Sequence, residues 1–129
     1  MSIAPRSTTY TVPDDPSWLG SAHGLDSTET VTLDVSKFVE ATHYPDGAIL
    51  GGNPIAKVTA TGLYGPYTTA DTTTGLGVLV GFLVGTQQVD GQTKLVAAML
   101  THGKIREARL PFPVDAAGKA DVAGLIRFI

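Results

Sequence analysis

The chain has 129 residues, of which 43% are apolar and only 16% are charged, with a formal net charge of −3 at pH 7. This length and apolar content fit one domain with a real hydrophobic core and argue against disorder over the whole chain. The acidic balance and the scattered Lys and Arg residues argue against a nucleic-acid partner, and the absence of cysteine excludes disulfide and thiolate chemistry.

No membrane segment is expected. The amino-terminal sequence MSIAPRSTTYT lacks the apolar stretch of a signal peptide. The longest uncharged stretch, residues 72–89, has an apolar centre at 76–84 that is only about half as long as a membrane span. The sequence therefore predicts neither a secretion signal nor a membrane partner.

Residues 1–29 differ in composition from the rest of the chain. They contain Pro5, Pro13 and Pro16, many Ser and Thr residues and few aliphatic ones. Most of this span shows neither a helical nor an alternating period. The composition predicts an extended amino-terminal arm, weakly structured on its own, that precedes a compact domain at residues 30–129.

Trp18, in the arm segment PSWLGSAHG, is the only tryptophan of the chain. Burying an indole contributes at most about 4–6 kcal/mol, whereas ordering about ten residues around it costs about 10–20 kcal/mol. Trp18 alone therefore cannot hold the arm on the chain's own core. Either the arm forms many backbone hydrogen bonds, or it stays mobile until the sheet edge of a partner provides them, and we favour the partner.

The compact domain begins with a clear strand pattern. The segment TVTLDV at residues 30–35 alternates apolar and polar side chains, which predicts a strand with one buried face. The following SKFVEA predicts one helical turn capped by Asp34 or Ser36. YPDG at 44–47 is a turn signal, and GAILGGNPIAKVTATG predicts two short strands interrupted by GGNP.

The second half of the chain predicts more short strands. LGVLVGFLV at 76–84 is apolar on both faces and predicts a central strand. Asp90 and Gly91 predict a turn, and THG at 101–103 predicts a tight hairpin with positive φ at Gly103. VDAAGKADVAG predicts a loop and a short helix, and LIRFI predicts a final strand. The fold class is therefore α+β, mainly β, with short helices.

Ser21, His23 and Asp26 have the side-chain types used in acyl transfer. Their spacing is not that of a nucleophile elbow, and in an extended segment Ser21 and His23 lie about 6–7 Å apart at Cα. Nothing nearby would hold the imidazole in one tautomer. We therefore expect no catalytic residues and no enzyme, and a small Ser/His hydrolase is only a remote alternative.

No metal or cofactor site is predicted either. His23, His43 and His102 lack metal-ligand spacing, and the chain has no cysteine to complete a site. GLGVLVG at 75–81 has one residue too many for a dinucleotide fingerprint and lies inside an apolar run. Neither Gly-Lys pair, at 103–104 and 118–119, continues as a phosphate-binding loop.

Five segments carry a family resemblance: WLGSAHG, TLDVSKF, THYPDGAILGGNPIAKV, GLYGPY and AAMLTHGKIREARLP. Together they resemble the head decoration proteins of tailed bacteriophages, most closely those of phages of actinobacteria. More distantly, the order of an apolar Gly-rich strand, a hairpin, Leu-Pro, a short helix and a final strand is similar to the lambda-type head decoration proteins. The resemblance covers residues 16–129.

The resemblance implies a compact domain of the β-tulip type and a homotrimer. Such proteins bind the major capsid protein on the outer surface of the virion, at threefold and quasi-threefold positions of the expanded shell. There they act as a cement against the pressure of packaged DNA. The family's amino-terminal arm adds a strand to the capsid protein, and here that role falls on residues 18–33. The candidate capsid-contact residues are Trp18, Leu19, Gly20, Ser21, His23, Gly24, Thr30, Thr32 and Leu33.

Two further expectations concern the surface of the compact domain. Apolar loop residues are candidates for the trimer interface, namely Tyr64, Pro66, Tyr67, Pro111 and Phe112. An alternative function is a surface-displayed module that binds glycans or other ligands, through the Thr-rich loop TTADTTTG at 68–75 and the aromatic LYGPY.

Overall fold

The computed structural model describes residues 14–129. Within this range the chain is mainly β, with short helices. Nine strands, β1 to β9, are Glu29–Asp34, Ala48–Ile49, Pro54–Lys57, Tyr64–Pro66, Gly81–Val84, Gln87–Gln88, Lys94–Leu100, Gly103–Ile105 and Ile126–Phe128. Two α-helices, α1 (Glu40–His43) and α2 (Ala116–Asp121), accompany four 3₁₀ turns at Pro16–Trp18, Leu25–Ser27, Val35–Lys37 and Glu107–Arg109.

Five strands form a closed barrel in the order β1-β4-β3-β5-β7. The longest pairing joins β1 and β7 in antiparallel register, from Glu29↔Met99 to Asp34↔Lys94. The ring closes where β1 meets β4 in parallel through a single register pair, Leu33↔Tyr64. The β1–β4 pairing is therefore the shortest in this barrel, and the β1–β7 pairing is the longest.

The predicted alternation of β1 is confirmed. Val31 and Leu33 are buried, and they point into the barrel with the inward side chains of the neighbouring strands. This first core consists of Val31, Leu33, Val35, Phe38, Ile49, Ile55, Leu83, Val89, Ala97 and Met99. Because alternate residues of a strand face opposite sides, Phe82 and Leu100 lie on the outside of the same barrel, where they enter a second core.

The second core lies between the barrel and a small outer layer. Strands β8 and β9 pair in parallel from Gly103↔Ile126 to Ile105↔Phe128. Helix α2 begins after Asp115, whose carboxylate accepts the N–H of Gly118 at 2.8 Å and so caps the helix. The core contains Trp18, Leu79, Phe82, Leu100, Ile105, Val114, Val122 and Ile126.

Most predicted turns and caps are confirmed. Asp34 caps the 3₁₀ turn that follows β1, because its carboxylate accepts the N–H of Ser36 at 3.1 Å. The YPDG turn is closed by a hydrogen bond from Gly47 N–H to the carbonyl of Tyr44 at 3.0 Å. Asp90 and Gly91 both adopt positive φ in the turn between β6 and β7.

Two predicted strand arrangements are wrong. The central strand expected at 76–84 is reduced to β5, because residues 76–80 pass through a turn that divides their side chains between three packing clusters and the solvent. The hairpin expected at 101–103 does not form. Gly103 does have positive φ, but its N–H bonds to the carbonyl of Leu125, so β8 leaves β7 and pairs with β9 instead.

The shortened strand gives a direct test by single substitutions. Leu83→Ala should cost about 2–5 kcal/mol of unfolding free energy, because the side chain is fully buried in the barrel. Val78→Ala, at a position that is 54% exposed, should change that free energy by less than about 0.5 kcal/mol. Urea denaturation measures both values. Similar losses in the two variants would instead support one continuous strand over 76–84.

Candidate functional site

The segment around Trp18 is packed on the chain's own domain, which corrects the expectation of an extended, partner-dependent arm for residues 14–29. The side chain of Trp18 is only 1% exposed, and its ring centroid lies 6.3 Å from that of Phe82. The indole also covers Gly52, where an added Cβ would approach its Cδ1 to 2.9 Å. Residues 1–13 of the predicted arm lie outside the described part of the chain.

Backbone hydrogen bonds explain why the segment is ordered. Gly20 N–H donates to the carbonyl of Lys104 at 2.9 Å, and Arg106 N–H donates to the carbonyl of Trp18 at 2.7 Å. Leu19 forms an antiparallel bridge with Ile105 between these two bonds. Each such bond contributes about 1 kcal/mol net. Of the two possibilities left by the sequence, many backbone hydrogen bonds or a partner's sheet edge, the first is therefore the one observed.

Side-chain caps hold the start of the described segment. Asp14 accepts hydrogen bonds from the N–H and the hydroxyl of Thr86, both at 3.1 Å. Asp15 accepts the N–H of Ser17 at 3.0 Å, and this bond holds the pKa of Asp15 below its usual value. These contacts fix the approach of the chain to Trp18.

The other candidate capsid-contact residues fall into two groups. Ser21, His23 and Gly24 follow Trp18 on the same docked segment and reach the 101–103 turn, where an added Cβ on Gly24 would overlap the carbonyl oxygen of His102. The second group, Thr30, Thr32 and Leu33, belongs to β1. Leu33 is completely buried in the barrel and already pairs with both β4 and β7, whereas Thr30 is exposed.

Strand β1 is unevenly paired on its two sides. One side pairs with β7 over all six residues of β1. On the other side, the parallel partner β4 reaches β1 only at Leu33. In the described range no strand lies beside residues 29–32 on that side, which we call the open side of β1.

Ser21, His23 and Asp26 do not form a nucleophile–base–carboxylate arrangement. The Ser21 hydroxyl oxygen accepts the backbone N–H of His23 at 3.3 Å. The His23 ring contacts His102 instead, with Nε2 2.6 Å from Nδ1 of His102. Between residues 14 and 129, no hydrogen bond joins the Ser21 hydroxyl to an imidazole.

The three histidines do not come together. His43 lies apart, with its ring 5.5 Å from Phe38 and 5.3 Å from Phe112, and its Nδ1 accepts the N–H of Val39. Burial lowers the pKa of His43 below 6.5. Residues 14–129 contain no group of three or more His, Cys, Asp or Glu side chains that could hold a metal ion.

The candidate trimer-interface residues largely contact their own chain. Pro66 is buried in β4, and Tyr64 packs against the first core. Tyr67 donates its hydroxyl to Asp115 at 2.7 Å, and burial raises the pKa of Tyr67. The burial of Pro66 corrects its assignment as an interface side chain. The most exposed large apolar side chains of the described range are not among the predicted interface residues; they are Val39, Val78, Val96, Leu125 and Ile129. Of these, Val96 could have been identified from the sequence, because it occupies an outward-facing position in the alternation of β7.

The Thr-rich loop at 68–75 is held in its conformation by hydrogen bonds between its own residues. The Asp71 carboxylate accepts bonds from the hydroxyl and N–H of Thr74 and from the N–H of Thr73, which together lower the pKa of Asp71. Tyr64 and Tyr67, the aromatic residues proposed for ligand binding, are half-buried. No contact in these residues specifically favours glycan binding.

Neither the models of known protein families nor the curated proteins contain a match to this chain. In the described part of the chain, no helix is long and apolar enough to cross a membrane.

The burial of Trp18 predicts a large effect on stability. Trp18→Ala should cost about 3–5 kcal/mol, because it empties the centre of the second core. Leu25→Ala, in the same segment but at a 37% exposed side chain, should cost less than about 1 kcal/mol. Chemical denaturation followed by far-ultraviolet circular dichroism measures both. A Trp18→Ala protein as stable as the parent would show that the indole is not part of the core.

His43 predicts a specific pH dependence of stability. The unfolded chain takes up a proton near pH 6.5, whereas the folded chain does so only at lower pH. The corresponding stability is present above pH 6.5 and is lost as the pH falls through the folded pKa. His43→Asn keeps an acceptor for Val39 N–H and should reduce the drop in unfolding free energy between pH 7.5 and 5. An unchanged drop in urea titrations would assign it to other groups.

Proposed function

We propose that this chain is a head decoration protein of a tailed bacteriophage. It binds the major capsid protein on the outside of the expanded head, as a homotrimer at threefold and quasi-threefold positions, and cements the shell against the pressure of packaged DNA. The proposal rests on the resemblance over residues 16–129, and within it the mainly β barrel with short helices is a β-tulip domain.

The observation that carries this function is the open side of β1. Residues 29–32 are held straight by β7 on one side and have no strand neighbour on the other in the described range. An extended segment of the capsid protein adds there as a further strand. Backbone hydrogen bonds supply about 1 kcal/mol each net, so a short added strand gives a modest contact.

Trimer formation converts this modest contact into firm attachment. Three open sides carried by one homotrimer bind neighbouring capsid subunits together, and the second and third contacts form at a high effective concentration. A surface with few charges and no basic stripe suits a position outside the shell, away from the packaged DNA.

In this proposal the segment around Trp18 stabilises the domain and is not the capsid contact. Trp18, Leu19 and Gly20 fix the segment to β8 and the second core. Trp18 therefore acts as a support inside the domain rather than as an anchor in the capsid. The contact with the capsid is assigned to the backbone of residues 29–32 and to the exposed side chain of Thr30.

The proposal predicts binding to expanded, emptied heads of tailed phages of actinobacteria. The purified chain should sediment as a trimer and co-sediment with these heads but not with unexpanded ones. Hydrogen–deuterium exchange of the bound protein should slow at residues 29–32, because a strand added to the open side of β1 protects amides that face it. Residues 94–100 of β7 serve as the internal control.

Two results would contradict parts of the proposal separately. A monomer that does not bind expanded heads argues against the decoration function itself. Binding with unchanged exchange at residues 29–32 leaves the decoration function standing and assigns the contact to another surface.

A further inference from the structure

An open groove of about 410 Å³ lies where the docked amino-terminal segment, the 101–103 turn and strand β9 meet. Four of its lining side chains carry or can take up positive charge: His23, His102, Lys104 and Arg127. The remaining lining residues are Gly103, Gly124, Leu125 and Ile126. No Asp or Glu lines the groove, although the chain has 12 acidic and only 9 basic residues.

The two imidazoles form one unit. The 2.6 Å between His23 Nε2 and His102 Nδ1 requires one nitrogen to donate a hydrogen and the other to accept it. The backbones that carry them are also in contact, since an added Cβ on Gly103 would lie 2.6 Å from the carbonyl oxygen of His23. The pair is therefore held in place by the main chain.

The other two basic side chains of the groove are also adjacent to each other. Lys104 and Arg127 are register partners in the parallel β8–β9 pair, and both are exposed. Like charges on directly paired residues oppose each other. The one ion pair found in residues 14–129, between Lys119 and Glu107, involves neither of them. Asp26, the nearest carboxylate to His23 along the chain, does not line the groove.

We propose that this groove is an anion site whose ligand is the carboxylate side chains of an extended protein segment. Carboxylates compensate the charges of Lys104 and Arg127 and accept hydrogen bonds from the N–H groups of the imidazole pair.

The apolar residues beside the groove favour a peptide over a free anion. Leu125 is 52% exposed and Ile129 is 54% exposed, and they directly flank β9, two residues before and two residues after Arg127. An extended segment whose acidic and apolar side chains alternate matches this order of apolar, basic and apolar positions. This proposal is independent of the proposed capsid binding. The purified chain alone is sufficient to test it.

The first test uses the whole purified chain and two synthetic peptides, one with alternating Glu and Leu residues and one with Gln in place of each Glu. Amide chemical shifts in NMR titrations report the site and the affinity. The Glu peptide should bind at least about tenfold more tightly than the Gln peptide, because only its carboxylates compensate the charges of Lys104 and Arg127.

Substitutions separate the two pairs of cations. The double variant Lys104→Gln and Arg127→Gln should bind the Glu peptide at least about tenfold more weakly than the parent does. The double variant His23→Gln and His102→Gln should also bind it more weakly, because it lacks the imidazole N–H donors. All four side chains are exposed, so the variants should fold. Lys94→Gln, at an exposed position on β7, is the matched control and should bind as the parent does.

Several results would overturn the proposal. Equal binding of the Glu and Gln peptides removes the role of carboxylates, and unchanged binding by the histidine double variant removes the role of the imidazole pair. Saturable binding of inorganic phosphate without peptide binding would assign the groove to free anions. Binding of Zn²⁺ at micromolar concentration without any anion binding would make the imidazoles metal ligands instead.

Discussion

The packing of Trp18 between the barrel and the outer layer is the interaction on which the rest of the structure depends. The indole touches the backbone at Gly52 and lies against Phe82, whose own ring is 6.0 Å from Phe128 in β9. One side chain thus connects the amino-terminal segment, the barrel wall and the last strand. The position of the 18–24 segment, and with it the His23–His102 contact, follows from this packing.

The strand pattern and the turns could be predicted because their causes are local. The alternation of β1 follows from the two-residue period of a strand, and the turn at Asp90–Gly91 follows from residues that tolerate positive φ. The cap by Asp34 of the 3₁₀ turn at Val35–Lys37 has a similarly short range. In each case the residues that decide the structure lie within a few positions of one another.

The errors arise where the deciding partner is distant in sequence. In the sequence-based estimate, burial of one indole does not offset the conformational entropy lost when the arm is ordered. The hydrogen bonds that provide the missing stabilisation involve Lys104 and Arg106, which are distant in sequence. The hairpin at 101–103 failed because β8 pairs with β9 beyond helix α2. The groove was not visible in the sequence for the same reason, since His23 and His102 are 79 residues apart.

The single tryptophan also makes the two cores separately observable. All indole fluorescence of the chain comes from the layer outside the barrel, because Trp18 belongs to the second core and the first core contains none. The emission maximum therefore reports the solvent access of that layer alone, while far-ultraviolet dichroism is dominated by the strands of the barrel. The protein carries an intrinsic optical probe that distinguishes loosening of its outer layer from melting of its barrel.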